Sequence, residues 1–167
     1  MRIVLGFDPG GRETGVVLRH RDTLLAGDVV VRHDDLTMPD GTYTRDVTGT
    51  AVRMLERHGF GPRSDELIVV SEGVRYWPKK GKGAAPNLTG LLGAAIVHGA
   101  ICERWPSTIV VPPGVGHGSF HESSYPAEIR PARHGKGKDR NRHARSAWDA
   151  SHHGETLHLQ RIREGQR

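Results

Sequence analysis

The first 33 residues constrain the fold most. Residues 2–7 (RIVLGF) form a short apolar run of strand length, and Asp8-Pro9-Gly10-Gly11 ends it with a strong turn signal. Residues 14–20 (TGVVLRH) and 23–33 (TLLAGDVVVRH) read as two further strands. Arg21-Asp22 alone separates them, which predicts an antiparallel hairpin. A chain that opens as a three-stranded meander must cover that sheet with its later segments.

From residue 43 onward helix and strand alternate. Tyr43, Val47, Ala51, Met54, Leu55 and His58 recur in steps of three and four, which puts one apolar stripe on a helix over 43–58. Asp40 or Thr42 is placed to cap it and Gly59 to end it. Residues 67–71 (LIVVS) are apolar on both faces, as a central strand requires, and deliver Glu72 at the strand's end. A helix is expected over 87–104, with Leu88, Leu91, Leu92, Ala95, Ile96 and Cys102 facing inward and Gly90, Gly93 and Gly99 permitting close packing. Residues 107–111 (STIVV) give a fifth strand, stopped by Pro112-Pro113-Gly114. Residues 112–138 lack periodicity, a length that marks a functional or mobile loop. A last helix is expected over 139–153, packing through Ala144, Ala147, Trp148 and Ser151. The order predicts an α/β domain over 1–154, with a five-stranded mixed sheet flanked by helices, and a basic C-terminal extension over 155–167.

Composition narrows the function classes. No stretch approaches 18 apolar residues, and the N-terminal run is too short for a signal peptide. A single cysteine, Cys102, excludes an internal disulfide framework and a cysteine-based zinc site, which fits a cytoplasmic setting. The net charge of +5 is unevenly spread. Residues 1–128 hold 14 basic and 15 acidic residues, whereas 129–167 hold 10 basic and 4 acidic ones with five histidines. Such asymmetry suits a polyanionic partner, and equally a solvated basic tail.

Three carboxylates stand out by position. Asp8 and Glu72 end two strands, and strand ends at one edge of an open α/β sheet form the usual site crevice. Asp149 lies on the last helix, which can cover that edge. Gathered carboxylates repel unless a divalent cation neutralises them, and hard oxygen ligands suit Mg²⁺ or Mn²⁺. Two such ions about 4 Å apart clamp the attacking and leaving oxygens of a phosphodiester. Taken singly, Asp8 also reads as an Asx-type turn residue and Glu72 as a strand-end surface charge.

The segment IVLGFDPGGRETGVVL resembles the first hairpin of RuvC-type Holliday junction resolvases in the RNase H-like superfamily, where an apolar strand ends in Asp-Pro-Gly and a Thr-Gly opens the next. LIVVSEGV resembles the strand carrying that family's catalytic Glu, and the helix with SAWDASHH resembles its final helix. The resemblance spans residues 2–153, and the basic, aromatic-poor cast is similar to resolvases of actinobacterial phages, which would place the protein in a host cytoplasm. It implies an RNase H-like fold, catalytic metal ligands at Asp8, Glu72 and Asp149, two Mg²⁺ ions with Mn²⁺ as a substitute, and hydrolysis leaving a 5′-phosphate. The family usually has an acidic residue or His one turn before the last Asp; this chain has Ser146, able to hold a metal through water. His153, one turn after Asp149, is a further candidate ligand or proton-transfer group.

DNA contacts are expected from two segments. Arg75, Lys79, Lys80 and Lys82 surround Tyr76 and Trp77, pairing phosphate-binding cations with stacking aromatics beside Glu72. Arg142 and Arg145 precede Asp149 on the last helix, with His143 between them, and His117 lies in a Gly-His-Gly-Ser stretch able to form a backbone nest. The expected activity is that of a metal-dependent, structure-selective endodeoxyribonuclease resolving Holliday junctions by paired cuts. A junction has two strands to cut symmetrically, so a C2 homodimer is expected, with the 87–104 helix as its contact element. The alternatives are a non-catalytic branched-DNA-binding protein and an RNase H-like nuclease acting on RNA–DNA hybrids or flaps.

Overall fold

Five strands form one mixed sheet in the order β3-β2-β1-β4-β5. The computed structural model describes residues 2–34, 37–74, 88–114, 122–131, 139 and 141–165. Strand β1 (Ile3–Asp8) pairs antiparallel with β2 (Glu13–His20), which pairs antiparallel with β3 (Thr23–Val31). Arg21 adopts φ 53° at the hairpin between them, the left-handed conformation that a two-residue link between twisted strands demands. On its other side β1 pairs in parallel with β4 (Leu67–Glu72), and β4 with the short β5 (Ile109–Val111). The α/β layer expected from the sequence is therefore present, with its opening meander.

Alternation along β1 sorts the core into two layers. Ile3, Leu5 and Phe7 face one side, buried with Tyr43, Val47, Ala51 and Leu55 of α1 (Gly41–Arg57) and Val97 and Ile101 of α2 (Leu88–Arg104). Val4 faces the other side, buried with Val70, Ile109 and Val111 beneath Ala150 of α3 (Arg142–Arg163). The predicted stripe on α1 is the buried one up to Leu55, while His58 is exposed at the helix C-cap. Asp40 caps α1 by accepting from the backbone N–H groups of Thr42 and Tyr43 at 2.9 and 3.0 Å. Gly59 (φ 78°) closes the helix, donating to Glu56 while Phe60 donates to Leu55, the paired bonds of a Schellman turn.

Two elements depart from the sequence reading. The inward face predicted for α2 is not the buried one. Gly93, Val97 and Ile101 are buried, whereas Leu88, Leu92 and Ile96 are 56, 55 and 41% exposed. Ala95 is exposed, Leu91 is half-buried, and Cys102 is half-buried beside His98. The helix is apolar nearly all round, so periodicity did not select the face; backbone approach did. A Cβ at Gly93 would lie 2.9 Å from Gly11 Cα, so only a residue without one lets α2 rest on the Asp8-Pro9-Gly10-Gly11 turn.

The second departure is α3, which runs to Arg163 rather than ending near 153. Its extra turns are held by the sheet. Leu157 packs on the Val4–Val70–Val111 cluster, and Glu155 pairs with the fully buried Arg19 at 2.8 Å. Arg19 also donates to Ser151 Oγ (2.6 Å), the Ser151 carbonyl (2.8 Å) and the Arg21 carbonyl (2.6 Å). The predicted packing residues Ala144, Ala147, Trp148 and Ser151 are all buried. Residues 112–138 are not wholly irregular either: Glu122–Ser124 and Ala127–Ile129 form two 3₁₀ turns against α3.

Candidate active site at the sheet edge

The opening turn places Asp8. Thr14 Oγ1 accepts from the Gly10 N–H (3.3 Å), donates to the Gly10 carbonyl (3.1 Å) and meets the Tyr43 hydroxyl at 2.9 Å. Tyr43 also reaches the Gly10 and Val30 carbonyls, so α1 and β3 clamp the turn. Burial pushes the Tyr43 hydroxyl up to about 12, which keeps it a neutral donor. Thr14 closes the turn, and the Asp8 carboxylate reaches out to α3 instead of into an Asx turn, with Oδ2 2.6 Å from His143 Nδ1. The other ring nitrogen of His143 lies 3.5 Å from Glu13 Oε2 and 3.1 Å from an Arg142 nitrogen.

Glu72 is not a surface charge. It ends β4 beside Val111 of β5 and is only 7% exposed. Its Oε1 accepts from the Gly114 N–H (2.5 Å) and its Oε2 from Ser146 Oγ (3.0 Å). Asp149 is 3% exposed, and both its oxygens accept from the Tyr125 hydroxyl, at 3.1 Å for Oδ1 and 2.9 Å for Oδ2. Burial first, and then this bond, raise the Tyr125 hydroxyl far above its ordinary value, so it stays a donor.

Asp8, Tyr125, Arg142, His143, Arg145, Ser146 and Asp149 line one open cleft of about 400 Å³. Residue pairs Asp8/His143, Glu72/Ser146 and Asp149/Tyr125 thus stand along the edge, each carboxylate bound to a donor of its own chain. Among the described residues no three His, Cys, Asp or Glu side chains converge on one metal position. Each of the three carboxylates instead meets a partner within the chain: Asp8 meets His143, Glu72 meets Ser146 and Asp149 meets Tyr125. Buried carboxylates need such donors, because a buried polar group left without a partner is costly. The donor chemistry fits a hard divalent cation: two carboxylates, an imidazole and two hydroxyls line the cleft, and the Ser146 hydroxyl links it to Glu72.

The remaining candidates divide. His143, named with Arg142 and Arg145 among the expected DNA contacts, is turned to Asp8. His153 is half-buried on α3 and does not line the cleft. Arg142 is exposed at the cleft rim. Arg145, expected to bind phosphate, lines the cleft, where it pairs with Asp139, donates to the Ile129 carbonyl (3.1 Å) and sits 5.9 Å from the Tyr125 ring centre. That bond holds the Asp139 carboxyl below its ordinary value. Arg75, Tyr76, Trp77, Lys79, Lys80, Lys82 and His117 lie outside the described residues. Sequence reasoning missed Tyr125 and Glu13. The available signal for Tyr125 was a tyrosine followed by proline inside a stretch of Gly, His and Ser, one of three tyrosines in the chain.

No protein-family model and no curated protein matches the chain. Solved structures do. A structure of Thermus thermophilus RuvC superposes with a TM-score of 0.54 at 18% identity, covering 98% of this chain and 97% of that one. RuvC of T. thermophilus in complex with a Holliday junction substrate superposes with a TM-score of 0.60 at 16% identity, covering 99% and 98%. The fold is RuvC-like. The strand order and the three helices of the described residues match that fold, and the superposition spans nearly the whole chain.

Proposed function

We propose that this protein is a metal-dependent endonuclease that resolves Holliday junctions by paired cuts, with Asp8, Glu72 and Asp149 as its catalytic acids. The observation that carries the reading is the placement of these three carboxylates on one sheet edge of a RuvC-like fold, with the opening Asp-Pro-Gly motif at its first strand. Asp8, Asp149 and Glu72 would hold the cation, with His143 and Ser146 beside them. A bound divalent cation supplies charge neutralisation at the scissile phosphate and a template for in-line attack. The protein's own groups do the rest. His143 holds the Asp8 carboxylate in place, and Ser146 and the Gly114 N–H fix the two oxygens of Glu72. Arg142 stands at the rim, where a phosphate diester would pass.

The assembly and partner rest on the same frame. Leu88, Leu92 and Ile96 form an exposed apolar row at i, i+4 and i+8 on α2, which supports this helix as the contact of a C2 homodimer. The basic excess over 129–167 supports salt-sensitive binding to branched DNA. Among the described residues no helix is long and apolar enough to cross a membrane.

One observation favours a second reading. Ser146, which bonds Glu72, stands where the resembled family carries an acidic residue or His, so the edge has one metal ligand fewer, as a non-catalytic junction-binding protein would. Incubation of a synthetic four-way junction with Mg²⁺ separates the two. The nuclease reading expects symmetric nicks, lost in Asp8→Asn and out-competed by excess junction but not by RNA–DNA hybrid or flap. Tight binding without nicking would establish the second reading, and preference for hybrid would overturn the substrate.

A further inference from the structure

Tyr125 is buried, 5% exposed, among Val17, Ile129, Ala144, Ala147 and Trp148. A buried phenol needs an acceptor, and backbone carbonyls are the usual ones. Here the hydroxyl points at a carboxylate in the cleft, and it reaches both oxygens within 0.2 Å of each other, at 2.9 and 3.1 Å. Either oxygen can therefore keep the bond while the other turns toward a ligand.

The segment that carries Tyr125 is strapped from both sides. Arg130 Nε donates to the Tyr125 carbonyl (2.6 Å), and its terminal nitrogen to the Ser123 carbonyl (2.9 Å). Asn141, at the start of α3, donates to the Glu128 and Arg130 carbonyls (3.1 and 3.2 Å). Arg145 donates to the Ile129 carbonyl and lies over the Tyr125 ring. Two guanidinium groups and an amide are thus spent on fixing the 3₁₀ turns that present one hydroxyl to α3. A hydroxyl held so firmly against a functional carboxylate restricts its rotation, and outer partners of this kind govern how well a ligand binds.

Resting on the metal-nuclease reading, we infer that Tyr125 is a positioning residue, which orients the Asp149 carboxylate for the cation through a hydroxyl fixed by the Arg130–Arg145 strap. The test is calorimetric titration of the full chain with Mn²⁺ alone, alongside junction cleavage as a function of Mn²⁺. Tyr125→Phe removes only the hydroxyl. It should weaken Mn²⁺ binding about 10–100-fold, and raise the Mn²⁺ needed for half-maximal cleavage by the same factor, while saturating Mn²⁺ restores the rate. A purely structural tyrosine would not give loss that metal rescues. Arg130→Ala loosens the strap from outside the core and should shift Mn²⁺ affinity in the same direction by less, which keeps the inference testable if Tyr125→Phe does not fold. Unchanged or tighter Mn²⁺ binding in the folded variant overturns the positioning role. Absence of Mn²⁺ binding by the unaltered chain, or binding that Asp149→Asn leaves intact, instead overturns the metal-nuclease reading beneath it.

Discussion

Gly6→Ala probes the contact that fixes α3, and with it Ser146 and Asp149, over the sheet. Gly6 sits mid-strand in β1, paired with Val17 on one side and Val70 on the other, so the strand cannot retreat. A Cβ there would lie 2.6 Å from the Ala147 carbonyl oxygen, 2.7 Å from Ser151 Cβ and 3.0 Å from a Val17 methyl. Relaxed heavy-atom contacts need about 3.5 Å, so α3 must back away by roughly 0.9 Å. That movement stretches the Ser146–Glu72 bond from 3.0 Å to beyond hydrogen-bonding range. Overpacking a core costs about 1–3 kcal/mol, and the upper end applies because the clash is with helix backbone rather than a mobile side chain. The lower chain entropy of Ala in the unfolded state returns about 0.4–1 kcal/mol. A net loss near 2 kcal/mol lowers the melting temperature by roughly 4–8 °C for a chain of this size. Circular dichroism melts measure it, with Gly49→Ala as the control. In the control the new Cβ meets only the far end of Arg53, at 3.2 Å, and helix propensity should raise stability by about 0.5–1 kcal/mol. A Gly6→Ala melt within 1 °C of the parent, taken here as about the error of such a melt, would refute the reasoning.

Three further outcomes are expected. Leu92→Glu places a charge in the exposed row of α2; it should leave monomer stability within about 0.5 kcal/mol and shift the sedimentation profile from dimer to monomer. Ser146→Asp sets a second carboxylate against Glu72 Oε2, now 3.0 Å from the serine hydroxyl, so the metal-free melting temperature should fall and the rise on adding Mn²⁺ should exceed the parent's. His152 is held near 4 by burial first and by Arg19 second, against Asp22 and Glu155 acting the other way. Its folded value lies below its unfolded one, so the unfolded chain binds the extra proton and stability falls as pH drops from about 6.5 toward 4; His152→Leu should flatten that part of the melting temperature–pH curve.

Much of this architecture was legible in the sequence because its signals are local. The apolar run ending in Asp-Pro-Gly, the two-residue Arg21-Asp22 link and the Asp40 cap each act within a few residues, and the structure places β1, the hairpin and α1 accordingly. The face of α2 was not legible, because a helix apolar nearly all round carries little directional pattern; the decision fell to the Gly93–Gly11 approach, which joins distant segments. The length of α3 was hidden for a related reason. Polar residues after His153 read as solvated, yet Glu155 answers a buried Arg19 lying 136 positions earlier, and no local rule links them. At the acidic edge, strand ends pointed to Asp8 and Glu72, while the contact of Asp8 with His143 joins residues 135 positions apart and has no local signal. Tyr125 escaped because its meaning depends on the fold that brings residues 122–131 against α3.

The central claim is that the carboxylate edge binds the cations of a nuclease, and a crystal of the protein soaked in Mn²⁺ tests it most directly through anomalous scattering. The predicted result is manganese in the cleft, ligated by Asp8 and Asp149 with Glu72 drawn in from Ser146. Manganese bound elsewhere on the surface, with Asp8 still on His143 and Asp149 still on Tyr125, would contradict it.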